Sequence, residues 1–232
     1  MIIEKPAKVK KENVFKYNGE PVKMTLGTLI LTCLCVFMII IATFTQISFT
    51  HFIIPADFLT YLNDGITPTI IKEHFLKYYR YIPQVPVILF IAAFLGKVFG
   101  IIAVLVYIAI GLFVYPVFAL GGGPKYIMNA NFGYILAYIP AVFFASSILK
   151  NNFCFKNILQ ASIVAVLVIH IIGIFYSLFI GVISQVSNSL LLGWIIAQSG
   201  TKILYDFMFS VMSIIVSGWV KRFLWKIGRA HV

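Results

Sequence analysis

Residues Tyr81–Tyr134 read YIPQVPVILFIAAFLGKVFGIIAVLVYIAIGLFVYPVFALGGGPKYIMNANFGY. Two apolar runs, Val85–Leu95 and Ile101–Tyr115, stand back to back, parted by Gly96-Lys97-Val98-Phe99-Gly100. Pro83 and Pro86 bound the start of the first run, which is too short to cross a bilayer untilted, since about 20 apolar residues are needed. The runs form either one kinked span or two short helices that turn back at Gly96-Lys97. Both ends of the chain are basic, which favours an even number of crossings. The two-helix reading gives six spans for the whole chain and the joined helix gives five; the sequence favours six. Gly96 and Gly100 stand four apart, so the turn can lie close against a neighbouring helix. The stretch ends in Pro116, the triple glycine Gly121–Gly123 and a polar, aromatic segment with Lys125, Tyr126, Asn129, Asn131 and Tyr134. Apolar helices delivering such a loop to one membrane face are what a small-molecule site requires.

Composition agrees with that reading. The 232 residues are 61% hydrophobic and 11% charged, against about a quarter charged in a soluble domain. The chain therefore reads as an all-α polytopic membrane protein with no large soluble domain. Its net charge of +11 lies beside hydrophobic segments, so it is a topology signal and not a nucleic-acid surface. Cys33, Cys35 and Cys154 lie in or next to apolar runs. Cys33-Leu34-Cys35 lacks the two-residue spacer of a metal or redox pair, and no disulfide framework is expected.

Outward from the central stretch, residues 1–23 form a lysine-rich tail, and Met24–Phe49 reads as the first span. No cleavage site follows its start, so it is a retained span and not a signal peptide. Thr50–Arg80 is a mixed loop with an Asn63-Asp64-Gly65 turn, a short interfacial helix over Ile70–Tyr79, and the potential to act as a lid. Phe132–Leu149 is the fourth span, kinked at Pro140. Ile158–Val182 is the fifth, and Leu190–Leu224 contains the sixth. The basic residues place both termini in the cytoplasm. Residues 24–226 thus form the membrane domain. Ile227–Val232 reads as a foreign, adapter-derived tail.

The last span holds the costliest residues. Gln198, Lys202, Asp206, Ser210, Ser213 and Ser217 recur every three or four positions and form one stripe along a helix. Lys202 and Asp206 can pair at that spacing, and charge at membrane depth is a functional candidate. His170 shares a face of the fifth span with Gly173, Ser177 and Gly181. It has no second ligand at metal-binding spacing and reads as a packed or hydrogen-bonded histidine. The GK[ST] ending of a phosphate loop does not follow Gly121–Gly123, and there is no HExxH pair, GxSxG elbow or carboxylate cluster. The chain is expected to be neither an enzyme nor a cofactor carrier.

Gln84 and Pro86, Leu95-Gly96 with Gly100, Gly111-Leu112 before Pro116-Val117-Phe118, then Gly121–Gly123 and Gly133-Tyr134 resemble, in order, the pattern of the BioY family. Members of that family are the biotin-binding S components of energy-coupling factor (ECF) transporters. The resemblance implies a six-transmembrane-helix bundle in a bacterial cytoplasmic membrane. It would take up biotin and dock on a transmembrane coupling protein driven by two cytoplasmic ATPases. It further implies a pocket in which Gln84, Asn131 and Asp206 meet the ureido ring, Phe118 and Tyr134 wall the bicycle, Gly122 approaches the ligand, and Lys125 or Lys202 meets the carboxylate. Thr28 and Thr32 stand where S components carry a small-residue docking pair. Two features depart from the pattern. Ser199-Gly200-Thr201 replaces the family's Pro-Gly-Asp step, and Asn129-Ala130-Asn131 precedes Phe132-Gly133-Tyr134 where Gly-Pro-Thr-Gly-Gly-Tyr is common. The residues also leave open a different vitamin, a proton-coupled carrier built on Lys202, Asp206 and His170, or a non-transporting scaffold.

Overall fold

The computed structural model describes residues 16–17, 20–21, 25–52 and 76–229. Most of the lysine-rich tail, the Asn63-Asp64-Gly65 turn, the first part of the expected interfacial helix and the last three residues lie outside these. In chain order the elements are a minimal hairpin, β1 (Lys16–Tyr17) with β2 (Glu20–Pro21), then α1 (Leu26–Phe44), β3 (Ile47–Phe52) and β4 (Leu76–Tyr81). There follow α2 (Gln84–Ala109) with a π-helical extension over Ile110–Val114, a 3-10 turn (Pro124–Met128), and α3 (Phe132–Leu136). The chain continues through α4 (Tyr138–Asn151), α5 (Phe155–Ile183), α6 (Asn188–Ser199) and α7 (Lys202–Arg229).

Five helical segments among the described residues are long and apolar enough to cross a membrane: Leu26–Phe44, Gln84–Val114, Phe132–Lys150, Phe155–Ile183 and Ser189–Leu224. The protein is thus a multi-pass membrane protein. The second segment is not straight. Gly96 has φ 74° and ψ −168°, a backbone region open essentially to glycine alone. Gln84 and Tyr107 would lie about 34 Å apart along a continuous helix, yet the Gln84 Nε2 donates to the Tyr107 hydroxyl at 3.2 Å. The chain therefore folds back at Gly96, and the two arms of α2 run antiparallel. Gly100 lets the returning arm lie close against α4: a β-carbon there would stand 2.9 Å from a Val142 methyl, and only at ordinary contact, 3.7 Å, from the Ile91 carbonyl oxygen of the opposing arm. Lys97, at the tip, lies with its Nζ 3.4 Å from the centre of the Phe143 ring.

α2 is the centre of the bundle and packs against α1, α4 and α7, while α5 packs against α3, α4 and α7. The core combines aliphatic side chains, with Ile39, Ile88, Leu89, Val104, Val142, Ile169 and Ile214 all buried, and large aromatic ones such as Tyr107 and Phe118. Outward faces carry bare apolar side chains such as Phe37, Phe113, Phe175 and Trp219, as expected where lipid is the solvent. The small separation of α3 from α5 comes from glycine. A β-carbon on Gly133 would collide with the Tyr176 ring, and one on Gly173 with the Tyr134 ring.

Three expectations need correction. First, the bundle is not purely α-helical: β3 and β4 form an antiparallel hairpin at one end, in the register Ile47↔Tyr81 to Phe52↔Leu76. Residues Leu76–Tyr79, expected in an interfacial helix, belong to this strand, and α1 ends at Phe44, short of the span drawn to Phe49. Runs such as ISFTHF and LKYYRY are rich in aromatic and β-branched residues, which suit a pleated surface. Here Phe49, Tyr79 and Tyr81 meet Tyr205 and Phe209 of α7, with ring centroids 5.2–5.9 Å apart in the contacts Phe49–Tyr205, Phe49–Phe209 and Tyr81–Tyr205. Second, the last segment breaks between α6 and α7 at Gly200-Thr201, where Ser, Gly and Thr all favour helix ends over helix interiors. Third, the fourth span is interrupted at Ala137, not at Pro140 itself. The proline ring displaces the carbonyl of residue 136 and supplies no N–H to it.

Candidate ligand-binding site

A cavity of about 170 Å³ opens at the hairpin end of the bundle. Its lining includes Tyr79, Arg80, Gln84, Leu120, Tyr126, Asn131, Tyr134, Tyr138, Ile169, Gln198 and Lys202. A second cavity, of about 360 Å³, shares Leu120, Asn131, Ala197 and Gln198 with it and extends past Trp194, Ser184 and Asn129.

Two hydrogen-bonded networks hold the walls of the smaller cavity. One centres on Gln84. Its Nε2 donates to Thr43 Oγ1 at 2.7 Å and to the Tyr107 hydroxyl, and its Oε1 accepts from the Tyr138 hydroxyl at 3.1 Å. Both amide protons are used, so what remains for a ligand is one acceptor lone pair on Oε1. The network ties α1, both arms of α2 and α4 together.

The other network centres on Asp206, which is fully buried. Lys202 Nζ lies 2.5 Å from Asp206 Oδ2 in an i,i+4 ion pair. The Tyr81 hydroxyl donates to Oδ1 at 2.7 Å. His170 Nε2 stands 3.1 Å from Oδ2, His170 Nδ1 2.9 Å from Ser199 Oγ, and Ser199 Oγ 2.7 Å from the Tyr134 hydroxyl. A neutral imidazole carrying its proton on Nε2 satisfies every member. Tyr134 donates to Ser199, Ser199 to Nδ1, and Nε2–H to the carboxylate. Burial first, and then the nearby charge of Asp206, pushes the Tyr81 phenol far above its ordinary value. The same causes push Tyr79 up to about 12. Tyr81 therefore stays a donor at any physiological pH. The chain of contacts runs from β4 through α7 and α5 to α6 and α3, so the hairpin is fastened to the bundle through one carboxylate.

The structure brings Gln84, Asn131, Tyr134 and Lys202 to one cavity, with Asp206 directly behind Lys202. Asn131 lines both cavities, and its side-chain amide has no partner among the described residues, so it offers a donor and an acceptor to whatever enters. Gln198 is in the same position; its place in the polar stripe was the sequence signal for it. Phe118 is buried and tilted against Tyr126, with centroids 4.7 Å apart, and it lies behind the wall. Gly122 backs onto Pro116 and the Gly111 carbonyl, while Gly123 N–H donates to that carbonyl at 2.8 Å. Gly121 and Gly123 have φ of 117° and 88°, so the triple glycine is a tight turn pinned to the end of α2. Lys125 is exposed and absent from either lining. Thr28 and Thr32 lie in the first turns of α1; Thr28 completes a capping box with Thr25, and the buried Thr32 donates to the Thr28 carbonyl. Sequence reasoning passed over Arg80, Tyr81, Tyr138 and Ser199. A tyrosine at a membrane boundary reads as an interface anchor until the fold turns it inward. Among the described residues no group of His, Cys, Asp and Glu side chains could hold a metal ion.

Fold and cavity together define a polytopic membrane protein with a polar internal pocket reached from one end. The sequence profile of the BioY family matches residues 81–225; the chain belongs to that family. It is similar in structure to a solved protein described as the S component for biotin from an ECF-type ABC transporter. The TM-score is 0.60 at 19% identity, over 86% of this chain and 95% of that one. The two share a fold. No curated protein matches the chain in sequence.

Proposed function

We propose that the protein captures biotin on the outer side of a bacterial cytoplasmic membrane, as the S component of an ECF-type transporter. The observation that carries this reading is the pairing of polar groups in the smaller cavity. The unengaged amide of Asn131 and the remaining Oε1 lone pair of Gln84 supply one donor and two acceptor groups. A ureido ring presents the complement, two N–H donors and one carbonyl. Tyr134, Tyr138 and Ile169 supply the apolar wall for the fused ring. Membership of the BioY family and the shared fold support the same reading. The role is transport and not catalysis.

In this reading α2 contributes two crossings, giving six, with both termini in the cytoplasm and the β3–β4 hairpin outside. Energy comes from partners: a transmembrane coupling protein that meets the first turns of α1 near Thr28 and Thr32, and two ATPase subunits beneath it. The deciding experiment is calorimetric titration of the detergent-purified chain with biotin, desthiobiotin, thiamine and riboflavin. Selective biotin binding is expected. A comparator bound in place of biotin would change the vitamin and keep the S-component reading; no binding by monodisperse protein would sink both. The proton-coupled carrier is less well supported, because His170, Lys202 and Asp206 satisfy one another in a single closed network. Uptake that depends on pH, needs no ATP and is lost in Asp206→Asn would favour it.

A further inference from the structure

Biotin ends in a carboxylate on a flexible chain, and a site that holds it needs a cation or several donors within reach. The larger cavity, the roomier exit for that chain, has no Lys or Arg in its lining. Lys125 is exposed and lines neither cavity. Lys202 does line the smaller one, but it is held at 2.5 Å by Asp206. Drawing its ammonium away would leave a buried carboxylate uncompensated. One other cation lines the smaller cavity, Arg80. It is exposed, and its guanidinium makes no ion pair or hydrogen bond with any described residue.

Arg80 sits on β4 between Tyr79 and Tyr81. Both neighbours are anchored, Tyr79 by stacking on Tyr205 with centroids 5.4 Å apart and Tyr81 by its bond to Asp206. The backbone that carries the guanidinium is therefore fixed over the cavity, while the guanidinium itself is uncommitted. Its planar fork matches a carboxylate through two parallel hydrogen bonds, which an ammonium does not offer. We propose that Arg80 is the anchor for the ligand's carboxylate. A bound acid then bridges β4 to Asn131 and Gln84 in the bundle, so the ligand itself ties the β3–β4 hairpin down across the cavity mouth.

This inference rests on the biotin reading, and its test separates the two. Binding of biotin and of biotin methyl ester to the full chain is measured in the wild type and in Arg80→Gln, Arg80→Lys, Lys125→Gln and the double variant Lys202→Gln/Asp206→Asn. The wild type is expected to prefer the acid by about tenfold to a hundredfold, the range of charge-assisted hydrogen bonds. Arg80→Gln brings that ratio close to one, and Arg80→Lys, which keeps charge without the fork, retains part of it. Should Arg80→Gln fail to fold, the partial loss in Arg80→Lys carries the test. An unchanged ratio in the arginine variants overturns the anchor, as does loss of the ratio in Lys125→Gln or the double variant alone. If biotin binds and only the ratio is unmoved, the anchor falls and the biotin reading stands. If neither compound binds folded wild-type protein, both fall.

Discussion

At the scale of single residues, Asp206 sets the terms. A buried carboxylate with an ammonium, a phenol and an imidazole around it is satisfied as a group and costly when broken. Asp206→Asn leaves Lys202 without its partner and is expected to lower stability by about 3–5 kcal/mol. Converting both, as Lys202→Met/Asp206→Leu, is expected to cost less than the single change, which thermal unfolding in detergent would reveal. Asn131 offers the opposite case. Its amide holds no partner among the described residues, so Asn131→Ala is expected to leave the melting temperature nearly unmoved and to weaken biotin about tenfold, in line with one or two neutral hydrogen bonds. Gln84→Ala should do both kinds of harm. It removes a proposed binding group and leaves the hydroxyls of Thr43, Tyr107 and Tyr138 short of a partner. A Gln84→Ala variant with wild-type stability would contradict the network described above.

At the scale of elements, glycine decides how closely the helices meet. Gly96 carries the reversal of α2 in a conformation that an L side chain adopts only under strain. Gly96→Ala is expected to cost about 1–3 kcal/mol, read as a lower midpoint in thermal unfolding. Gly173 has a different task, since a β-carbon there would enter the Tyr134 ring. Gly173→Ala should displace that ring from Ser199 and weaken biotin binding, at an overpacking cost of about 1–3 kcal/mol. If Gly173→Ala binds biotin as tightly as the wild type, Tyr134 is not a wall of the occupied site. The triple glycine belongs to the same logic: its positive-φ turn returns the chain onto Gly111 and so places Asn131.

At the scale of the whole molecule, the reversal at Gly96 underlies the proposal of six crossings. With six crossings, a cysteine in place of Val98 at the hairpin tip reacts with a membrane-impermeant maleimide from the same side as one in place of Lys150. A cysteine in place of Tyr78, on β4, reacts from the opposite side. Labelling of the Val98 and Tyr78 positions from one side would contradict that topology. The same arrangement explains how a small bundle holds a polar cavity: β4, α2, α3, α4, α5, α6 and α7 each send polar side chains inward, and no element holds the site alone.

The sequence by itself determined the membrane class, most helix positions, and the spacing that pairs Lys202 with Asp206; the polar stripe drawn on from Gln198 breaks with the helix at Gly200-Thr201. Each follows from local information, the apolar content and period of a short window. It also singled out Gln84, Asn131 and Tyr134, because polar residues beside glycine and proline at a helix mouth have few structural reasons to be there. The sequence left the choice between one kinked helix and two arms to an argument from charge; the tertiary structure shows two arms folded back with Gln84 against Tyr107, and the six crossings they would give are a proposal. Only the structure showed that Tyr81 and His170 converge on Asp206, with Ser199 joining His170 to Tyr134. They come from helices and a strand far apart in the chain, and no local period encodes which distant surfaces meet. The strand over Leu76–Tyr81 was lost for the same reason. Its aromatic side chains suit an interfacial helix equally well until β3 pairs with it and α7 receives its rings.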